Sequence, residues 1–130
     1  YIVDLPGYGF AKVSQSSRRR WEQMIENYVR KRPNLNRLFV LIDARHPAQK
    51  IDLAFIDNLY KWEVPFTLIF TKADKEKPGV VKRNYDGFLE TLKAQYPFLP
   101  EIFITSAEKK QGIQEVLQCI DRYNALAEIS

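Results

Sequence analysis

The sequence predicts an α/β fold in which helices cover both faces of a mostly parallel β-sheet. Short apolar runs alternate along the chain with longer segments of helical periodicity, and this alternation is typical of βα units with parallel strands. Polar residues follow each apolar run, as expected where the carboxyl ends of parallel strands share one edge. No repeat, low-complexity tract or linker interrupts the 130 residues, so a single domain over 1–130 is predicted.

Four short runs rich in apolar and branched residues predict buried strands. The runs are Tyr1–Val3, Leu38–Ile42, Phe66–Phe70 and Glu101–Ile104. The first run begins at Tyr1 without a Met, a cap or a turn before it. We therefore expect the chain to be cut from a longer protein, with its start inside a domain.

Four apolar stripes at helical spacing predict the helices, and we assign all of them to the core. They run from Trp21 through Met24 to Val29, from Ile51 to Trp62, from Val81 to Tyr96, and from Ile113 through Leu117 to Ala127. Ser16 or Ser17 is available to cap the first helix. The last helix opens after Gly112.

Composition places few constraints on function. The net charge of +4 and the pI near 9.2 permit contact with RNA, but many domains without such a partner are equally basic. The single cysteine, Cys119, lies among apolar residues, which favours a buried structural thiol over a nucleophile. The apolar runs are too short to span a bilayer and the first residues lack a signal-peptide pattern, so a cytoplasmic location is predicted.

The first motif that carries chemistry, Asp4-Leu5-Pro6-Gly7, follows the first predicted strand. A carboxylate at a strand end can hold a water of Mg²⁺, and a glycine lets the backbone approach a terminal phosphate closely. Taken alone, the motif is better explained as a turn built by Pro6 and Gly7.

Two further motifs follow the third and fourth predicted strands: Thr71-Lys72-Ala73-Asp74 and Thr105-Ser106-Ala107. The carboxylate of Asp74 can accept two hydrogen bonds from guanine, and adenine fails to supply them. The aliphatic stem of Lys72 can lie against the base, and the Ala107 N–H can reach guanine O6. A solvated charged loop is the alternative for residues 71–77. These three motifs occur in order, each directly after a predicted strand and on the same edge of the sheet, which is not expected by chance.

These motifs resemble the third, fourth and fifth motifs of the Ras-like, translation-factor-related GTPases. The longer strings VDLPGYGFAKV (residues 3–13) and LIDARHP (residues 41–47), with Asp52 after them, closely resemble the EngB family of bacterial ribosome-biogenesis GTP-binding proteins. The resemblance covers essentially the whole chain. It implies a three-layer, Ras-like P-loop GTPase fold, GTP or GDP with Mg²⁺ as cofactors, and assistance to assembly of the large ribosomal subunit through the ribosome or its RNA. It also implies a link to cell division and septation, and a full-length protein that is monomeric.

The resemblance assigns roles by position. Asp4 would bind Mg²⁺ through water and Gly7 would offer its N–H to the γ-phosphate. The base would be held by five residues: Thr71, Lys72, Asp74, Ser106 and Ala107. Thr71 stands where most such GTPases have asparagine. Tyr8 stands where Ras-type enzymes place the glutamine that orients water, which implies slow intrinsic hydrolysis; no catalytic residue is predicted.

The phosphate-binding loop is missing from the sequence. No G-x-x-x-x-G-K-[ST] occurs, since none of the five glycines is followed by Lys. We therefore expect the loop, its lysine and the first strands of the sheet to lie upstream, and a gap in the sheet without them. The chain alone should bind nucleotide weakly or not at all, should not hydrolyse GTP, and could self-associate through exposed strand edges.

Two other classes of protein remain as alternatives. A response-regulator receiver shares the fold class, but its lysine follows the last strand, whereas Lys72 precedes the Ser-Ala motif. A non-enzymatic RNA- or ribosome-binding module with a degenerate nucleotide site would use basic surface from Arg18–Arg20, Arg30–Arg32 and Lys72–Lys77. His46 fits either a partner contact or a structural turn before Pro47.

Overall fold

The structure is a computed structural model that describes residues 15–31 and 37–129, with side chains for residues 16–31 and 37–125. The predicted strand Tyr1–Val3, together with Asp4 and Gly7, lies outside the described residues. The order of elements is α1 (Gln15–Lys31), β1 (Leu38–Asp43), α2 (Lys50–Lys61), β2 (Phe66–Thr71), a 3₁₀ turn (Ala73–Lys75), α3 (Pro78–Gln95), β3 (Glu101–Ile104) and α4 (Ile113–Ile129). The other three predicted strands and all four predicted helices are confirmed.

The described chain divides into two compact units, of which the first contains α1 and α2. The Trp21 and Phe55 rings meet with centroids 5.4 Å apart, and Ile25 of α1 is buried. Two expectations for α1 are wrong. The helix begins at Gln15, so Ser16 and Ser17 lie inside its first turn and not at its cap. Met24 is 47% exposed, so that position of the stripe is not core.

The second unit contains the sheet, whose three strands are all parallel in the order β1-β2-β3. β1 pairs with β2 from Leu38↔Phe66 to Asp43↔Thr71, and β2 pairs with β3 from Thr67↔Glu101 to Phe70↔Ile104. Five of the six residues of β2 are buried, as the central position of that strand requires. The carboxyl ends of all three strands therefore lie on one edge of the sheet.

Helices α3 and α4 contact opposite faces of this sheet. Phe70 packs edge-on against Phe88 of α3 at 5.4 Å between ring centroids. Successive strand residues face opposite sides, so Thr67 and its register partner Glu101 lie on the other face from Phe70. Cys119 of α4 donates its thiol to Glu101 Oε1 over 3.0 Å. Helices on both faces, as predicted, are thus confirmed within this unit.

Cys119 is the buried structural thiol that the sequence predicted. It is 1% exposed, and burial, with the neighbouring Glu101 carboxylate, raises the thiol pKa to about 11. Leu117, two positions earlier, departs from the prediction because it is 52% exposed. None of the helices described in the structure combines the length and apolar character needed to cross a membrane.

Candidate functional site

Two loops at the carboxyl edge of the sheet are bonded to each other and to the end of β2. We call residues 71–75 the β2 loop and residues 105–112 the β3 loop. The Phe70 carbonyl accepts hydrogen bonds from both the N–H (2.7 Å) and the hydroxyl (3.0 Å) of Thr105. The Ala73 N–H donates to the Thr105 carbonyl over 3.1 Å. The two loops therefore follow directly from the pairing of β2 with β3.

Asp74 and Ser106 form the centre of this arrangement. The Ser106 hydroxyl donates to Asp74 Oδ1 over 2.5 Å and accepts from the Lys109 N–H at 3.2 Å. Ser106 is fully buried, and the Asp74 side chain is only 11% exposed. The Ser106 hydrogen bond, ahead of the nearby lysines, lowers the pKa of Asp74 below its usual value. Asp74 is thus an oriented, ionised acceptor.

A glycine closes the β3 loop. Ser106 and Gln111 exchange two backbone hydrogen bonds of 3.0 Å each, which bring the two ends of the β3 loop together. Gly112 follows with φ of +71°, and a Cβ placed on it would lie 2.2 Å from the Ile104 carbonyl oxygen. Only glycine fits there. The closure holds Ala107 exposed beside Ser106.

The β2 loop is joined to the end of β1 through Thr71. The Ala44 N–H donates to the Thr71 carbonyl over 2.9 Å, and the Thr71 hydroxyl donates to the Ile42 carbonyl over 3.3 Å. Lys72 then adopts a left-handed backbone, with φ of 61° and ψ of 32°. This conformation turns the chain sharply between Thr71 and the 3₁₀ turn that carries Asp74.

Three side chains that the sequence did not identify as site residues adjoin this loop. The Arg45 guanidinium donates hydrogen bonds to both carboxylate oxygens of Asp43. Its Nε lies 3.0 Å from Oδ1 and 3.1 Å from Oδ2, and a terminal nitrogen lies 2.6 Å from Oδ2. The hydrogen bond from Arg45 lowers the pKa of Asp43 to about 2. Lys72 Nζ lies 3.6 Å from Asp43 Oδ2. Buried Asn84 of α3 steadies the turn after β1 by donating to the Ala44 carbonyl over 3.0 Å.

A second pair, Lys75 and Glu108, connects the two loops at the surface through an ion pair. Both side chains are substantially exposed, at 43% and 68%, and exposed pairs of this kind contribute little stability.

The sequence contains an indirect signal for most of these missed residues. Lys75 and Glu108 each directly follow a predicted site residue, and Asp43 and Arg45 lie within the string LIDARHP. Asn84 has no such signal, because it lies in the middle of a helix and reaches the site only through packing.

The structure brings together five of the seven predicted site residues: Thr71, Lys72, Asp74, Ser106 and Ala107. The other two, Asp4 and Gly7, lie outside the described residues, so their roles stay predictions. Within residues 15–31 and 37–129, no group of three or more His, Cys, Asp or Glu is placed to hold a metal ion. The described site thus presents an oriented carboxylate at Asp74, with Lys72 two residues before it in the same loop.

Comparison with known proteins identifies curated relatives along almost the whole chain, although no family model matches. Proteins named "Probable GTP-binding protein EngB" from Porphyromonas gingivalis and Phocaeicola vulgatus are 46% and 48% identical over 124 residues, or 95% of this chain. One from Christiangramia forsetii is 41% identical over the same length. The chain spans 62–63% of the length of these relatives.

Among solved structures, translation elongation factor SelB from Methanococcus maripaludis in its apo form matches with a TM-score of 0.69. The match is 18% identical and covers 94% of this chain and 24% of that one. The same factor in complex with the GTP analogue GppNHp matches with a TM-score of 0.64, 17% identity, and coverage of 80% and 23%. At this identity the likeness shows the fold alone, and it confirms the partial, Ras-like α/β class.

Proposed function

We propose that this chain, a homologue of the EngB GTP-binding proteins at 41–48% identity, is the base-recognition portion of a guanine-nucleotide-binding protein. The observation that carries the proposal is the carboxylate of Asp74, which the Ser106 hydroxyl orients at 2.5 Å. The Asp74 side chain is only 11% exposed, and the hydrogen bond from Ser106 holds its carboxylate in one orientation at a turn.

The chemistry of guanine matches this carboxylate. Guanine presents a ring N–H and an exocyclic amine side by side, so a single carboxylate accepts from both. Adenine presents an acceptor at the ring nitrogen and has no 2-amino group, so it would leave the carboxylate without partners. An unmet buried acceptor costs about 1–3 kcal/mol or more for a charged group, which is the basis of the expected selectivity.

The remaining parts of the nucleotide site are proposed from the family resemblance. The stem of Lys72 would cover one face of the base and the Ala107 N–H would donate to O6. Asp4 would hold Mg²⁺ through water, and Gly7 would donate to the γ-phosphate. With Tyr8 where Ras-type enzymes place a glutamine, hydrolysis by the full-length protein would be slow.

The cellular role that we propose is assistance to assembly of the large ribosomal subunit in the cytoplasm, with a link to cell division and septation. It rests on the family resemblance and on the basic charge of +4. A second candidate, a non-enzymatic RNA- or ribosome-binding module, is favoured by Arg18–Arg20. All three are exposed in the first turns of α1, which has no acidic residue in its first turn. The two roles are compatible.

Calorimetry on the full-length gene product tests nucleotide recognition. We expect Mg²⁺-dependent binding of GDP and GTP with a preference over ADP of about a hundredfold or more. Asp74→Ala should abolish the preference, while Asp86→Ala, which removes an acid paired with Lys82 on α3, should leave it intact. Equal binding of GDP and ADP would overturn the proposal.

Ribosome pelleting over a salt series tests the second candidate. Replacing Arg18, Arg19 and Arg20 by alanine should weaken binding and flatten its salt dependence. Replacement of Arg83, an exposed cation on α3, serves as the matched control. Retention of full, salt-sensitive binding without the three arginines would remove them from the interface.

A further inference from the structure

Lys72 occupies a backbone conformation that a lysine does not favour. Its φ of 61° is left-handed, where a side chain meets the following carbonyl and glycine is favoured. Strain at a residue other than glycine is found where the surroundings hold it in place and its side chain is needed. The side chain of Lys72 is 54% exposed, so burial of its stem is not what holds it.

The ammonium of Lys72 lies beside an anion that is itself fixed. Its Nζ is 3.6 Å from Asp43 Oδ2. The Asp43 carboxylate accepts the Arg45 backbone N–H at 3.0 Å as well as the guanidinium contacts. A carboxylate held by an arginine fork and a backbone N–H cannot swing with the lysine. The register partner of Asp43 is Thr71, directly before Lys72, so the sheet sets this distance.

We infer that Asp43, held by Arg45, is a positioning residue for Lys72 and thereby increases the affinity of the site for the face of a planar base. The inference rests on the proposed function, because it assumes that the Lys72 stem covers the base. Asp43 anchors the far end of that stem, so the methylene chain lies in one direction and not in many. An anchored stem loses less conformational freedom when a base stacks on it.

A double-mutant cycle on the full-length protein, read by calorimetry with GDP, tests the inference. Lys72→Met keeps an apolar stem and removes the ammonium. With Lys72 present, Asp43→Asn should weaken GDP binding about fivefold, the upper range for a partly exposed ion pair. In the Lys72→Met background the same change should have an effect within about twofold, because the ammonium that Asp43 anchors is gone.

Two further measurements separate positioning from damage to the fold. Inosine diphosphate has the same flat face as GDP but lacks the exocyclic amine, so Asp43→Asn should weaken both ligands by the same factor. Asp86→Asn is the matched control, since it removes a Lys–Asp pair of 2.6 Å on α3 and should leave GDP affinity unchanged. Should Asp43→Asn fail to fold, Arg45→Gln takes its place in the cycle, with a smaller loss that again depends on Lys72.

Equal loss in both backgrounds, or no loss with Lys72 present, would overturn the inference while leaving the proposed function standing. Absence of guanine selectivity in the unmutated protein would instead overturn the proposed function, and the inference with it. The two failures are therefore distinguished within one set of titrations.

Discussion

At Asp74, one serine hydroxyl decides which oxygen of the carboxylate faces the neighbouring loop. Ser106 Oγ donates to Oδ1, while Oδ2 lies 3.9 Å from Lys75 Nζ. Both Asp74 and Ser106 were predicted from the sequence because each follows a strand in a recognisable motif. Their mutual hydrogen bond was not predicted, since it depends on how the two loops meet.

Replacing the Asp74 carboxylate by an amide should change which base is accepted. In Asp74→Asn the amide oxygen still accepts from the ring N–H, but the amide nitrogen donates and so repels the exocyclic amine of guanine. We expect GDP affinity to fall about a hundredfold and affinity for xanthosine diphosphate, which has a carbonyl at that position, to rise. Competition binding with both nucleotides measures this; an unaltered preference for GDP would show that Asp74 does not read the base.

The Asp43–Arg45 pair should make stability depend on pH in acid. The pKa of Asp43 is lowered from 3.8 to about 2 in the folded protein, so the pair stabilises the fold above about pH 4 and loses that contribution as pH falls towards 2. Asp43→Asn should be less stable by about 1–2 kcal/mol at neutral pH. Its free energy of unfolding should fall less in acid than that of the unmutated protein.

Urea titrations at about pH 7 and about pH 3 measure both effects. Asp86→Asn is again the control, since exposed pairs on helix surfaces contribute only about 0.3–0.5 kcal/mol. Parallel loss of stability in acid by the Asp43→Asn and unmutated proteins would contradict the assigned role of the pair.

At the scale of elements, strands were easier to predict than helix details. β3 begins and ends at the predicted residues, and β1 and β2 each extend one residue further. Continuous apolar runs mark such strands clearly, since both faces of the central one are buried. The position of a helix cap and the edges of an apolar helix face depend on which other elements pack against the helix. This explains the errors in the α1 cap at Ser16 and Ser17 and in the burial of Met24. The Asp43–Lys72 contact depends on register between strands, which sequence spacing does not reveal.

The β3 loop should depend strongly on Gly112. A Cβ there would lie 2.2 Å from a backbone oxygen and would occupy a φ of +71°, so Gly112→Ala should cost roughly 2–4 kcal/mol of stability. Gly87→Ala is the control, because nothing lies within 4 Å of the added Cβ in α3. That change should be neutral or stabilising by up to about 1 kcal/mol. Thermal melts of both variants check the contrast, and equal melting temperatures would contradict it.

At the scale of the whole molecule, the described residues contain the two loops that we propose to recognise the base, whereas the predicted contacts to phosphate and Mg²⁺ fall on Asp4 and Gly7. The sequence has no G-x-x-x-x-G-K-[ST]. The chain also spans only about 62% of its curated relatives. The fold class was thus predictable from this chain and is confirmed. The base site and the roles of Asp4 and Gly7 stay predictions, and the phosphate-binding loop could not be placed, because its motif is absent from the sequence.

The 130-residue chain alone should bind GDP weakly or not at all and should not hydrolyse GTP, because most nucleotide affinity comes from phosphate contacts. Calorimetry and a phosphate-release assay, run beside the full-length protein, measure this. Tight, Mg²⁺-dependent GDP binding by the chain alone would contradict the prediction.

Self-association of the chain also stays a prediction. It is supported by Leu41, which is 63% exposed on β1, an edge strand of the described sheet. Analytical sedimentation would detect it.

The double acceptance at the Phe70 carbonyl has a consequence for cooperativity. Both the N–H and the hydroxyl of Thr105 end on this one oxygen of the buried central strand, and the next residue, Ser106, orients Asp74. Opening of the β3 loop at Thr105 must therefore break bonds to β2 itself, so this end of the loop shares the opening free energy of the sheet and not that of a surface segment. In hydrogen-exchange terms, we expect the Thr105 amide to exchange as slowly as the core of the sheet, so the residue that leads into Ser106 stays fixed for as long as β2 and β3 remain paired.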